Sequence, residues 1–238
     1  MIVLVKLPSR GRPEKLLDVL NLYVNTARDT SRMFFMITLD SDDPTVDTPL
    51  IDSLISVHPN VRVHVGVSGT KIKAINRDME AAPFFDILLL ASDDMIPIVA
   101  GYDEIIRSKM HKHYPTTDGV LWFNDGLQGN GLNTLAIMGR RYYQRFGYIY
   151  NPIYQTLWCD KEFTDVSILL GRQTYFPEVI IEHRHFVNGK AAVDETYIKN
   201  STGAEEDTET YKNRKRMNYG MGMVSGLLLP KIKLKIYK

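Results

Sequence analysis

This chain has one cysteine, Cys159, almost no net charge and no long apolar run, and each shortage excludes something. A single cysteine rules out an intramolecular disulfide and suits a reducing compartment. With 29 basic and 28 acidic residues the net charge is +1, which gives no whole-domain attraction to nucleic acid, so no such partner is expected. No stretch approaches the ~20 apolar residues of a membrane span, and the opening MIVLVK is too short an apolar run for a secretory signal. The sequence therefore reads as soluble and cytoplasmic, with membrane contact at most peripheral. Its 238 residues, 44% of them hydrophobic, suffice for one sizeable α/β domain.

The most informative stretch is FFDILLLASDDMIP, at 84–97. The unbroken apolar run 87–91 is short enough to be a strand buried on both faces, and it stops at Ser92-Asp93-Asp94. In an open α/β sheet ligands bind outside the carboxyl ends of the strands, so both acids stand where chemistry is expected. Hard oxygen ligands suit Mn2+ or Mg2+, above all when a substrate diphosphate supplies further oxygens. An aspartate after a strand also makes an Asx turn, and these residues alone leave both readings open.

In chain order, 2–7 reads as a strand and 8–13, Pro-Ser-Arg-Gly-Arg-Pro, as a polar loop leading into an amphipathic helix that starts near Pro13. A second strand, 33–39, ends in Asp40-Ser41-Asp42-Asp43. A helix over 48–57, a strand over 61–65 and a helix over 71–82 follow, the last with Ile72, Ile75 and Met79 on one face. Strand and helix alternate three times before the strand at 87–91, which predicts right-handed crossovers and a largely parallel sheet. Acids at Asp40 and Asp93 and bases at Arg10 and Arg12 then share one sheet edge.

Farther on, the pattern predicts helices over 102–113 and 140–146 and strands over 119–123 and 135–138. The glycine- and amide-rich loop 124–131 reads as a hairpin connection around Asp125-Gly126, or else as a sugar-binding loop with Trp122 as a stacking face. Asp160 stands where a helix begins and is expected to cap it, with Glu162 and Asp165 favouring the same positive end. The stretch 179–186, VIIEHRHF, alternates so that His183 and His185 share one side. Thr202 with Glu205 resembles a capping box, and the lysine alternation over 230–238 reads as an edge strand protected by charge rather than as an anchor on anionic lipid.

Taken together, these stretches over about residues 2–195 resemble a nucleotide-sugar glycosyltransferase of the GT-A fold, most similar to family 2. The resemblance implies a single domain with a Rossmann-type mixed sheet flanked by helices: a nucleotide-binding half at 1–100, an acceptor half at 101–195 and an extension at 196–238. It assigns Pro8, Ser9, Arg10, Arg12, Asp40, Lys71, Lys73 and Asp93 to the nucleotide. Asp93, Asp94 and His183 or His185 would hold the Mn2+ or Mg2+, and Asp160 would be the general base. Trp122, Asn124 and Asp125 would face a carbohydrate or other hydroxyl acceptor. Three departures stand out: Ala91 replaces the first acid of Asp-x-Asp-Asp, Ile75 replaces an arginine, and Cys159-Asp160 leaves one acid where two are common. The implied activity is metal-dependent, inverting sugar transfer; a nucleotidyltransferase and a non-catalytic nucleotide- or sugar-binding module are the alternatives.

Overall fold

The structure, a computed structural model, describes residues 1–184, 203–224 and 227–230. Strand β1 (Val3–Ser9) is central because it is apolar on both sides: Val3, Val5 and Leu7 enter one core and Leu4 the other. It pairs in parallel with β2 (Met33–Asp40) on one side and β4 (Ile87–Leu90) on the other, and β3 (Val61–Gly66) extends the sheet beyond β2. Across β4 the direction changes. Strand β7 (Ile137–Gly139) runs antiparallel to β4 and to β6 (Val120–Phe123), and β8 (Gln173–Phe176) lies parallel to β6. The order is β3-β2-β1-β4-β7-β6-β8, a mixed α/β sheet as expected from the sequence.

Helices cover both faces. On one, α1 (Pro13–Thr26) and α4 (Tyr102–His113) bury Leu16, Leu20, Tyr23, Ile106 and Met110 against Val3, Val5 and Leu89. On the other, α3 (Lys71–Asn76), α5 (Arg140–Phe146) and α6 (Cys159–Leu169) bring Ile72, Ile75, Tyr142, Phe163 and Val166 onto Leu4, Met36 and Leu88. Helix α2 (Thr48–Val57) leads into β3, and α7 (Ala204–Arg216) packs through Tyr211 into the second core. Two ribbons stand apart from the sheet: β5 (Met95–Pro97) with β9 (Ile181–His183), and β10 (Met221–Val224) with β11 (Leu227–Pro230).

Helices α2, α4 and α5 keep their expected bounds. The helix expected over 71–82 instead ends at Asn76: Arg77 is extended, with ψ 153°, and Asp78 turns left-handed at φ 70° before a single 3-10 turn at Met79–Ala81. Strands β5 and β8 were not foreseen, and the strand over 179–186 is only Ile181–His183 among the described residues. β6 and β7 do pair antiparallel, but Asp125-Gly126 is no two-residue turn, since residues 124–136 connect them. His185, Thr202 and the lysine alternation after Pro230 lie outside the described residues.

Candidate active site

Because β1, β2 and β4 are parallel and in register, with Ser9 beside Leu39 and Lys6 beside Leu90, their carboxyl ends bring residues 9–12, 40–43 and 92–94 together. Gly11 takes a left-handed φ of 68°, which a side chain would strain, and its N–H donates to Asp43 Oδ2 at 2.6 Å. That turn places two arginines. Arg10 Nη1 lies 3.0 Å from Asp40 Oδ2 and 2.5 Å from Asp42 Oδ1. Arg12 Nη1 donates to Asp93 Oδ1 at 2.8 Å, and Ser9 Oγ donates to Asp93 Oδ2 at 3.1 Å. Pro8 lies in β1 itself, opposite Thr38. Burial raises the Asp93 carboxyl above the usual range against the pull of Arg12, and the neighbouring Asp94 raises it further. Asp93, expected as a metal contact, is thus turned into an arginine pair.

Asp94 points the other way. The β5–β9 ribbon pairs Met95 with His183, and Asp94 Oδ2 stands 3.6 Å from His183 Nε2. On the far side of the ring, His183 Nδ1 is 3.6 Å from Asp125 Oδ2. Asp125 is buried and also accepts the Leu127 N–H at 2.9 Å, the Gln128 N–H at 2.7 Å and the Thr134 hydroxyl at 2.6 Å. Burial alone would lower the His183 pKa, but the carboxylates of Asp125 and Asp94 outweigh it and raise it to about 9. Burial would raise both carboxyls, and hydrogen bonding, His183 first, holds each below the usual range instead.

No three His, Cys, Asp or Glu side chains among the described residues form a metal cluster. Two donors nevertheless suit one. Ligands each ~2.1 Å from a divalent ion lie ~3–4 Å apart, and Asp94 and His183 meet that spacing. A carboxylate outside the imidazole, here Asp125, is the usual partner that orients a ligating histidine.

Arg77 carries no signal of its own in the sequence. It lies just past α3, and its Nη2 donates to the Leu39 carbonyl at 2.7 Å and its Nη1 to Ser68 Oγ at 2.7 Å, 3.5 Å from Asp40 Oδ1. An arginine thus stands two positions after Ile75, bonded within the sheet edge. Lys71, exposed at the start of α3, is close enough to lower the pKa of both Asp94 and Asp160, and Lys73 is exposed as well. Asp160 does not cap α6. The cap position is Trp158, left-handed at φ 63° with no side-chain cap, and Asp160 accepts the Lys161 N–H at 2.8 Å inside the first turn. Burial raises the Asp160 carboxyl above its usual range; Lys71 and, more weakly, His183 oppose that.

Helix α7 holds this turn from behind. Asp207 accepts N–H groups from Gln155 at 2.9 Å and from Thr156 and Leu157 at 2.8 Å, Trp158 stacks on Tyr211 with 4.7 Å between ring centres, and Trp158 Nε1 donates to Thr208 Oγ1 at 2.9 Å. The same loop reaches α3 through the Ile72 N–H, 3.3 Å from the Gln155 carbonyl. Two acceptor candidates move away from a surface role. Trp122 is 6% exposed and packed edge-on to Tyr175, so its ring is core rather than a stacking face, and Asp125 serves His183 and its own loop. Asn124 stays at the surface of that loop, its Oδ1 accepting the Gly126 N–H at 2.9 Å.

No protein-family model matches this chain, and no curated protein does. Solved structures do. The mannosyltransferase PcManGT from Pyrobaculum calidifontis, in complex with GDP-Man and Mn2+, matches at a TM-score of 0.60 and 13% identity over 77% of this chain and 57% of that one. S. aureus TarS 1-349 in complex with UDP matches at 0.60 and 13% over 92% of this chain and 74% of that one. Its complex with UDP-GlcNAc matches at 0.57 and 16%, over 84% and 64%. At such identities the likeness concerns the fold, which is that of the GT-A-like nucleotide-sugar glycosyltransferases. The chain spans little more than half of PcManGT.

Proposed function

We propose that this chain transfers a sugar from a nucleoside-diphosphate-sugar donor to a hydroxyl acceptor, a glycan by default, with inversion at the anomeric carbon. The observation that carries the reading is the convergence, on one sheet edge, of four cations with an Asp94–His183 donor pair and the raised carboxyl of Asp160. The cations are Arg10, Arg12, Arg77 and Lys71. Neighbours with this fold were solved with GDP-Man and Mn2+, UDP-GlcNAc or UDP, which supports the donor class.

In this reading Asp40, between Arg10 and Arg77, receives the nucleoside end of the donor, and the arginines with Lys71 face the diphosphate. These bases offset the charge that grows on the leaving nucleoside diphosphate, which is where electrostatic stabilisation is most effective. Asp94 and His183 would hold a Mn2+ or Mg2+, which when bound neutralises the same diphosphate as a Lewis acid. Asp160 accepts the proton of the acceptor hydroxyl as its oxygen attacks the anomeric carbon and the C–O bond to the diphosphate breaks. A carboxyl raised by burial is the stronger base once ionised.

Calorimetric titration with UDP, GDP and CDP, each with and without Mn2+, tests the donor site; one nucleotide binding in a metal-dependent way is expected. With that donor, Asp160→Asn should abolish transfer and leave nucleotide affinity within about twofold, since a base contributes to the transition state and little to the ground state. Loss of transfer and affinity together would make Asp160 structural. Release of pyrophosphate from a nucleoside triphosphate would favour a nucleotidyltransferase instead.

A further inference from the structure

Lys6 is a fully buried base that the reaction as described does not use. It stands in β1 in register with Met36 of β2 and Leu90 of β4, both members of the second core. A methionine or leucine would fill that place without the cost of burying an amine, so the amine is kept for what it holds. Its Nζ donates to Thr38 Oγ1 and, at 2.8 Å, to the Arg77 carbonyl. Thr38 Oγ1 in turn donates to Asp78 Oδ2 at 2.9 Å, and the same oxygen accepts from Arg77 Nε at 3.2 Å. Lys6 therefore grips the turn, extended at Arg77 and left-handed at Asp78, from which the guanidinium reaches Ser68, the Leu39 carbonyl and Asp40.

We propose that Lys6 is a proton-linked positioning residue of the donor site, which sets Arg77 and Asp40 for the nucleoside end and takes up a proton as the diphosphate binds. The inference rests on the donor site argued above and adds its regulation by pH. Ser9, at the edge of that site, lies three residues along β1 from Lys6, about 10 Å at ~3.3 Å per residue. At an effective permittivity of ~20, a unit negative charge at that distance favours the protonated amine by about one pH unit. The charged groups that bear on Lys6 are Arg77, Asp78 and Glu80, all from the turns after α3. From β2 and β4 it meets Thr38, Met36 and Leu90, none of which carries a charge. Burial lowers the amine to about 8, so above that pH most of the free protein has lost the proton, and a bound diphosphate restores it. Each proton taken up on binding makes the affinity fall as pH rises.

The test is calorimetric titration of the full chain with UDP and GDP, each with Mg2+, in buffers of different ionisation enthalpy, which counts the protons taken up. At pH 8.5 the parent should take up about half a proton more than Lys6→Met, and at pH 6.5 the two should agree. His183, raised to about 9, titrates in the same window in both proteins and cancels in the difference. From pH 7.5 to 9 the affinity of the parent should fall about fivefold relative to that of the variant. At pH 7.5 the variant should bind on the order of tenfold more weakly, the effect of a lost hydrogen bond from a charged group. A defect of packing alone would weaken binding without changing the proton count. If Lys6→Met does not fold, the carbon-13 signals of the lysine Cε atoms in the parent decide: one should titrate at about 8 and move up by about one unit with nucleotide. Nucleotide binding with equal proton uptake in both proteins, with that midpoint unmoved, or with no lysine titrating near it would overturn the proposal and leave the transferase reading standing. No binding of either nucleotide at any pH would overturn both.

Discussion

Asp94 and His183 meet at 3.6 Å because two strands of three residues each, far apart in the chain, pair at Met95 and His183. The Arg184 N–H, donated to the Asp94 carbonyl at 2.8 Å, extends that pairing to the acid itself. If this is the metal pair, Asp94→Asn and His183→Ala should each lower Mn2+-dependent nucleotide affinity at least tenfold while leaving the weaker metal-free affinity within about twofold. Asp125→Asn should act in the same direction through the imidazole, by roughly 10-fold, as partners behind a ligating histidine do. Calorimetry with and without Mn2+ reads all three, and an unchanged metal dependence in the Asp94 variant would remove the pair from the metal.

Asp93 has a different dependence. Its side chain is 7% exposed and that of Arg12 10%, so each is a nearly buried charge neutralised by the other. Breaking such a pair leaves an uncompensated charge, and Arg12→Ala should destabilise the fold by about 3–5 kcal/mol in urea unfolding. Replacing both, as Arg12→Met with Asp93→Leu, should recover most of that loss without recovering nucleotide binding. A double variant that binds nucleotide like the parent would mean that the pair is structural only.

How much of this was legible depended on range. The runs at 33–39 and 87–91 are short, almost wholly apolar and followed by acids, so the parallel half and the convergence of Arg10, Asp40 and Asp93 follow from local pattern and a crossover rule. Helix α4 was legible too, because Tyr102, Ile105, Ile106 and Met110 recur at helical spacing although the surrounding pattern is looser. Strand β8, with Gln173 and Thr174 before its aromatics, lacks that signal and is made by pairing with β6. The direction in which Asp93 and Asp94 turn was hidden as well, since it is set by Arg12 on one side and by the β9 pairing on the other. Arg77 escaped because a helical period ran through Asp78, where the backbone in fact turns left-handed.

Asp207 connects α7 to the proposed base. Its carboxylate holds three consecutive N–H groups of residues 155–157, immediately before the left-handed Trp158 that starts α6. A left-handed residue with a side chain is held at a cost of about 1–2 kcal/mol, so it needs such anchors. Asp207→Ala should therefore lower kcat by about 10- to 100-fold, the scale of a misplaced reacting group, with nucleotide affinity changed far less. Steady-state kinetics against titration separates the two effects. Equal losses in both would point to general unfolding rather than to the placement of Asp160.

Lys6 gives a pH dependence whose sign is fixed by its surroundings. It is fully buried in β1; its Nζ donates to Thr38 Oγ1 and, at 2.8 Å, to the Arg77 carbonyl, which fixes the backbone from which Arg77 reaches Asp40. Burial lowers its pKa from 10.5 to about 8, with Arg77 adding to the fall and Asp78 and Glu80 opposing it. Between those two values the unfolded chain keeps a proton that the folded chain has lost, so stability rises with pH across that window and is flat below it. The stability of the parent relative to Lys6→Met should accordingly increase by up to ~3 kcal/mol from pH 8 to 10.5, the comparison cancelling the tyrosines that titrate in both. Urea unfolding of the two proteins at a series of pH values reads it. A difference that stays constant through the window would mean that the lysine keeps an ordinary pKa in the fold; one that falls would mean that its ion pairing outweighs its burial.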